Sequence, residues 1–192
     1  MRYEACHPGA LLHVDHKKLG RVPPGGGHRV LGRAAAPDHK RSRVGYDHFE
    51  VFIDDASRLA AVVQVPDERG ESAAHALELA AAEFAAVGIR IERVLTDNGA
   101  SYRSRAFAAL LERLDAHHRW TRPYRPQTNG KAERFIRTLL DEWAYLRPYR
   151  SNAERLAALP RYLAFYNQRR PHTAIRGLVP LAAVNNVLKH HN

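Results

Sequence analysis

Three carboxylates occupy positions from which acids far apart in the chain could meet. Asp15 closes the run Leu11-Leu-His-Val, Asp97 closes Ile91 to Thr96, and Glu133 falls within the first turn or so of a helical segment. Carboxylate oxygens are the donors that hard divalent cations take. Two such cations about 3.5–4 Å apart serve phosphodiester cutting and joining, one activating the attacking oxygen and one stabilising the leaving oxygen. Taken singly, each acid has an ordinary explanation, because a strand-end Asp is commonly a turn former or a helix cap. Asp97-Asn98-Gly99 also contains tight-turn pairs, and its turn and ligand readings are compatible. Asp54 and Asp55 are rival acids at another strand end. There Asp54-Asp-Ala-Ser-Arg58 reads as a hairpin turn in which Asp55 and Ser57 bond local backbone amides, so both acids are assigned to structure.

The surroundings of Glu133 separate it from an ordinary helix acid. The segment Arg122-Pro-Tyr-Arg-Pro-Gln-Thr-Asn-Gly-Lys-Ala-Glu133-Arg-Phe places Arg122, Arg125, Lys131, Arg134 and Arg137 beside it. Cations flanking a metal-binding carboxylate suit a phosphate backbone. A solvated basic face is the bland reading, but the prolines with Gln127, Asn129 and Gly130 fit a strand-gripping loop better than a linker.

The charge is arranged in blocks. Lys plus Arg number 30 against 20 Asp plus Glu, a formal +10 that points to a polyanionic partner. Residues 17–43 hold eight basic residues against one acid and residues 117–176 hold thirteen against four, while residues 44–116 hold seven against thirteen. A single cysteine, Cys6, excludes an internal disulfide and any zinc site built on paired cysteines. No apolar stretch reaches membrane-spanning length before a charge interrupts it, so the expectation is a soluble cytoplasmic protein with no membrane partner.

Elements able to position the three acids can be read in order. Leu11 to Asp15 forms a short strand, followed by a Gly/Pro-rich basic loop from Lys17 to Arg43. Tyr46 to Ile53 and Leu59 to Val65 form two strands joined by the tight turn. A helix capped by Ser72 carries an inward stripe of Leu77, Ala80, Ala81, Phe84 and Val87 and stops at Gly88. A strand over 91–96 follows, then a helix capped by Ser104 with Phe107, Leu110, Leu111 and Leu114 on one face, then a strand over 117–121. A helix over 129–146 carries Phe135, Ile136, Leu139, Leu140 and Trp143 at helical spacing. Ser151-Asn-Ala-Glu154 is a capping box opening a last helix, which Pro160 kinks. At 192 residues and 45% hydrophobic composition, one globular domain with a helical extension is the default. The boundaries are an N-terminal remnant over 1–10, a catalytic core over 11–147 with a basic insertion over 17–43, and a C-terminal helical extension over 148–192.

The motifs His13-Val-Asp15-His-Lys-Lys-Leu-Gly20, Asp54-Asp-Ala-Ser-Arg58, Leu95-Thr-Asp97-Asn-Gly99, the Arg122 to Phe135 segment and Tyr166-Asn-Gln-Arg-Arg-Pro-His172 span nearly the whole chain. Through them it resembles the integrase-type catalytic core of bacterial insertion-sequence transposases, which is related to retroviral integrases and carries a so-called DDE triad. The 35 residues between Asp97 and Glu133 match the gap typical of such enzymes. The resemblance implies an α/β, ribonuclease-H-like fold with a mixed five-stranded sheet flanked by helices. It implies Asp15, Asp97 and Glu133 as catalytic ligands of two Mg²⁺ or Mn²⁺ ions. Asn98, Arg122, Arg125, Gln127, Asn129, Lys131, Arg134 and Arg137 become candidate DNA contacts. The implied reaction is 3′-end cleavage followed by strand transfer into target DNA, by a homo-oligomer assembled on paired DNA ends in a bacterial nucleoid.

Such relatives usually carry a helix-turn-helix module ahead of the first acid, and only fourteen residues precede Asp15 here. The expectation is therefore a truncated or internal start, with the acids retained and end recognition missing. A non-catalytic DNA-binding remnant or regulator, and a nuclease that hydrolyses without joining, are the alternatives on the same residues.

Overall fold

A computed structural model describes residues 5–32, 44–121 and 129–189. In chain order its elements are β1 (Leu12–Gly20), α1 (His28–Leu31), β2 (Tyr46–Asp54), β3 (Ala60–Val65), α2 (Gly70–Ala85), β4 (Arg93–Thr96), α3 (Arg105–Arg113), β5 (His117–Trp120) and α4 (Gly130–Leu139). A π-helical turn (Leu140–Ala144), α5 (Asn152–Ala157), α6 (Leu159–Gln168), a 3₁₀ turn (Thr173–Ile175) and α7 (Pro180–Lys189) complete it. The five strands form one mixed sheet in the order β3-β2-β1-β4-β5. β1 with β2 and β2 with β3 run antiparallel, whereas β1 with β4 and β4 with β5 run parallel. This is the helix-flanked five-stranded sheet that the sequence led us to expect.

Strand alternation sends successive side chains to opposite faces, and two apolar layers result. One face carries Leu12, Val14 and Phe52 against the inward stripes of α2 and α3, including Leu77, Ala80, Phe84, Phe107 and Leu110. The other carries Phe49, Val51 and Ile53 against Phe135, Ile136 and Leu139 of α4, Trp143, and Tyr162 and Tyr166 of α6. Ser104 accepts from the Phe107 amide at 3.1 Å and Ser151 from the Glu154 amide at 3.1 Å, so both expected caps form. Among the described residues no helix is long and apolar enough to cross a membrane.

Several boundaries differ from the sequence expectation. β1 does not end at Asp15: Lys17 to Gly20, expected in the basic loop, continue it because β2 supplies partners throughout, from Leu12↔Asp54 to Gly20↔Tyr46. Ser72 does not cap α2, which begins at Gly70; its hydroxyl donates instead to Asp67 at 2.6 Å. A Cβ on Gly70 would lie 2.1 Å from the Ser104 hydroxyl oxygen, so the starts of α2 and α3 approach as only glycine permits. The helix expected to reach residue 146 leaves α-geometry after Leu139 and turns through the π segment. There the Trp143 indole donates to the Arg155 carbonyl at 2.9 Å and the Tyr149 hydroxyl to the Trp143 carbonyl at 2.8 Å. Part of the early basic loop, residues 33–43, lies outside the described residues.

A buried charge cluster ties the helical extension to the sheet. Asp47 of β2 accepts from Arg155 at 3.2 Å, Asn152 at 2.8 Å and Arg21 at 2.9 Å. Asp47 and Arg155 each keep only 1% of the side chain exposed. Removing one partner of a buried pair strands the other charge in a low-dielectric interior. Asp47→Ala should therefore lower the free energy of unfolding by about 3–5 kcal/mol in urea denaturation. A change within about 0.5 kcal/mol, the range of a surface substitution, would show that the cluster does not hold the extension.

Candidate active site

The parallel register sets the site. Leu12 pairs with Val94 and His13 with Leu95, and β4 ends at Thr96. Carrying that register two residues further brings Asp15 beside Asp97, at the point where β1 continues with β2 but has lost its β4 partner. The loss of a neighbouring strand opens a notch beside Asp15, the switch-point position where α/β sheets bind ligands. Asp97 stands in the turn that follows β4. Its Oδ1 accepts from the Gly99 amide at 2.8 Å, and Asn98 donates to the Thr121 carbonyl at 3.2 Å. The turn role anticipated for Asp97 is therefore real, and its carboxylate remains at the exposed rim.

Glu133 reaches the same notch from the first turn of α4. That helix is anchored by residues that the sequence reading placed on DNA or in a turn. Asn129 is buried, and its side chain does not cap α4; its amide donates to the Val14 carbonyl at 3.0 Å and its Oδ1 faces His13 Nδ1 at 3.2 Å. His13 Nε2 in turn meets Asp55 Oδ1 at 2.7 Å, and Lys131 Nζ meets the same oxygen at 2.5 Å. The Ala5 amide donates to Asp55 Oδ2 at 2.6 Å. Asp55 thus joins the N-terminal segment, the central strand and the start of α4, where a local turn role was expected. Asp54 fills that local role, accepting from the Ser57 amide and hydroxyl, each at 2.7 Å, and from the Gly9 amide at 2.8 Å.

The buried Asp55 and the half-buried Asp15 are tuned in opposite directions. Burial pushes Asp55 up, but His13, the Ala5 amide and Lys131 outweigh it and hold the carboxyl far below the usual range. Asp15 is raised to about 6, first by burial and then by the charges of Asp97, Glu133 and Glu50, against one backbone hydrogen bond from His16. Asp97 and Glu133 are therefore each close enough for Asp15 to feel their charge, although the oxygens of the three do not all come within 4.8 Å of one another. Among the described residues, only His16, His48 and Glu68 form so tight a group of potential ligands.

The candidate DNA contacts divide. Asn98, Arg134 and Arg137 are exposed around the acids, Asn129 and Lys131 face inward, and Arg122, Arg125 and Gln127 lie outside the described residues. The Tyr166 to His172 motif docks α6. Tyr166 packs edge-on against Phe135 at 4.7 Å between centroids, Asn167 brackets Ala60 at 3.0 and 2.8 Å, and Arg170 grips Glu142 at 2.7 Å. The sequence missed His13 and the linking role of Asp55, because no local spacing marks partners 42 and 76 residues apart.

A family model described as "Integrase core domain" matches residues 7–126, and a second of the same description matches residues 114–180. A retrovirus-related Pol polyprotein from transposon TNT 1-94 of Nicotiana tabacum is 31% identical over 115 residues, 59% of this chain and 8% of that protein. A putative integrase of a Spiroplasma virus is 28% identical over 149 residues, 71% of this chain and 41% of its own length. The chain thus spans less than half of either relative. The catalytic core domain of BIV integrase superposes with a TM-score of 0.63 at 19% identity, covering 95% of this chain and 98% of that one. A chain of the simian T-cell lymphotropic virus intasome gives 0.65 at 19% identity, covering 88% and 52%. Both share the fold.

The raised Asp15 yields a pH prediction for the metal-free protein. Asp15 holds its proton to about pH 6 when folded but to about 3.8 in its ordinary state. The folded chain therefore binds the proton more tightly, and this group's contribution to stability falls as pH rises from about 4 to about 6. A carboxyl NMR titration should place Asp15 near 6, and Asp97→Asn should move that midpoint down. No movement would mean that the two carboxylates are not neighbours.

Proposed function

Because the chain belongs to the integrase core domain family, we propose that it is the catalytic core of a DNA polynucleotidyl transferase in which Asp15, Asp97 and Glu133 are the reactive-site carboxylates. The observation that carries the reading is their convergence from β1, the turn after β4 and α4, with the charges of Asp97 and Glu133 both raising Asp15.

The donor set fits Mg²⁺ or Mn²⁺. All three side chains offer oxygens, and the like-charge crowding on Asp15 is what a dication relieves. Two bound ions would activate the attacking oxygen and stabilise the leaving oxygen of an in-line substitution at phosphorus. The protein's own part is placement. The β1–β4 register fixes Asp15 against Asp97, and the Asp55, His13, Asn129 and Lys131 network fixes the start of α4 and so Glu133. The acids act as ligands rather than nucleophiles, so no covalent protein–DNA link forms. In the first step water attacks a phosphodiester at an element end, a new P–O bond replaces the old one, and a 3′-hydroxyl leaves. In the second that hydroxyl attacks a target phosphodiester, with the same exchange of one P–O bond for another. Asn98, Arg134 and Arg137, together with Arg122, Arg125 and Gln127, are proposed to bind the DNA backbone, while Asn129 and Lys131 position α4. Assembly as a homo-oligomer on paired DNA ends belongs to the same reading.

The test uses DNA carrying a pre-formed 3′-hydroxyl end, with Mg²⁺ or Mn²⁺, and resolves joined from hydrolysed products. Joined products from the wild type, with a loss in Asp97→Asn larger than the about 10–100-fold cost of removing a supporting partner, are expected. Hydrolysis without joining would leave a nuclease, and salt-sensitive binding without cleavage would leave a DNA-binding protein. Two further substitutions separate gripping from positioning. Arg134→Ala and Arg137→Ala should each reduce the slope of log affinity against log salt by about 0.9. Lys131→Ala should lower turnover and leave that slope unchanged; a reduced slope would instead make Lys131 a phosphate contact.

A further inference from the structure

The side chains of Asp15 and His16 leave β1 on opposite faces of the sheet, and the face behind Asp15 holds a second group of ligand-type residues. His16 lies across from Glu50, and His48 lies across from Lys18, in the β1–β2 pairing. Glu68 arrives from the turn that precedes α2. His16 Nε2 is 3.1 Å from His48 Nδ1 and 3.8 Å from Glu68 Oε1, and His48 Nδ1 is 3.3 Å from Glu68 Oε1. Donors on a tetrahedral cation at the usual Zn–N and Zn–O lengths stand about 3.3–3.4 Å apart, the centre of this range. The supporting contact is also in place. The far ring nitrogen, His16 Nδ1, lies 2.8 Å from Glu50 Oε1, and the Tyr102 hydroxyl fixes the other Glu50 oxygen at 2.8 Å. A carboxylate holding the non-ligating nitrogen sets the tautomer that leaves Nε2 free to ligate.

We propose that His16 Nε2, His48 Nδ1 and Glu68 Oε1 form a binding site for one zinc-type divalent cation, with Glu50 orienting His16. Two imidazoles select a borderline cation over Mg²⁺, and three protein donors leave a fourth position for water. Lys18 Nζ, 3.5 Å from Glu68 Oε1, also sits 4.7 Å over the Tyr46 ring, where it is accommodated when the cation takes the carboxylate. Such an ion staples β1, β2 and the entry to α2 behind Asp15, using none of the three reactive-site acids.

Cobalt reads the site directly, since tetrahedral Co²⁺ absorbs in the visible while free and octahedral Co²⁺ scarcely does. The full chain, free of Mg²⁺, is titrated with Co²⁺ and then with Zn²⁺. One equivalent of Co²⁺ is expected to develop the visible bands and one equivalent of Zn²⁺ to abolish them. The bands should persist in Asp97→Asn and vanish in His48→Ala. Glu68→Gln, at an exposed turn, supplies a second variant that should weaken binding with the fold intact by circular dichroism. Glu50→Gln should weaken it about 10–100-fold. Absence of the bands in the wild type would leave a hydrogen-bonded His-His-Glu cluster and overturn the site. Their survival in His48→Ala would assign them to others of the twelve histidines, and their loss in Asp97→Asn to the acid triad, and either outcome would also overturn it.

Discussion

The buried Asp55 carboxylate is the constraint around which the rest is arranged. Its two oxygens receive the Ala5 amide, the His13 ring and the Lys131 ammonium, so one charge joins the N-terminal segment, the central strand and the first turn of α4. Each partner alone is costly to bury. Together they satisfy one another, and truncation of any one leaves a polar group stranded in the interior. Because Glu133 lies two residues beyond Lys131, this interior contact sets where a surface acid sits relative to Asp15.

The sheet supplies the complementary half of that placement. β1 is long and fully paired with β2, yet its parallel contact with β4 covers only Leu12 and His13. The mismatch in strand length makes the notch: Asp15 stays rigid on a paired strand while the chain after β4 is released into the turn that carries Asp97. At the far end of α4, Trp143 is packed edge-on against Phe49 at 5.5 Å and bonded to the Arg155 carbonyl. The helix bearing Glu133 is thus pinned at both ends.

How much could be read from the sequence follows from the range of the interactions. The caps at Ser104 and Ser151, the stripe of α2 and the break near Pro160 depend on residues three or four apart, and each was legible. Spacing and flanking motifs singled out the three acids on which the proposed site rests. The continuation of β1 through Lys17 to Gly20 was hidden because its cause is the β2 partner, and the four residues Lys-Lys-Leu-Gly carry too short an apolar pattern to mark a strand on their own. Asn129 suggested a substrate contact, and only the tertiary fold turns it toward Val14. The cluster of His16, His48 and Glu68 was likewise invisible, since its members come from two strands and a turn.

The docking of α6 has a consequence for how copies of this chain can meet. Asn167 presents its side-chain amide to Ala60, donating to the carbonyl and accepting from the amide as an added strand would. The start of β3 is therefore closed to a new strand. The opposite edge, β5, is four residues long and reads His-His-Arg-Trp, short and basic enough to discourage strand addition. Growth of the sheet from molecule to molecule is therefore obstructed at the start of one edge and disfavoured along the other, so two copies meeting at either edge would be hindered from extending it into a continuous sheet.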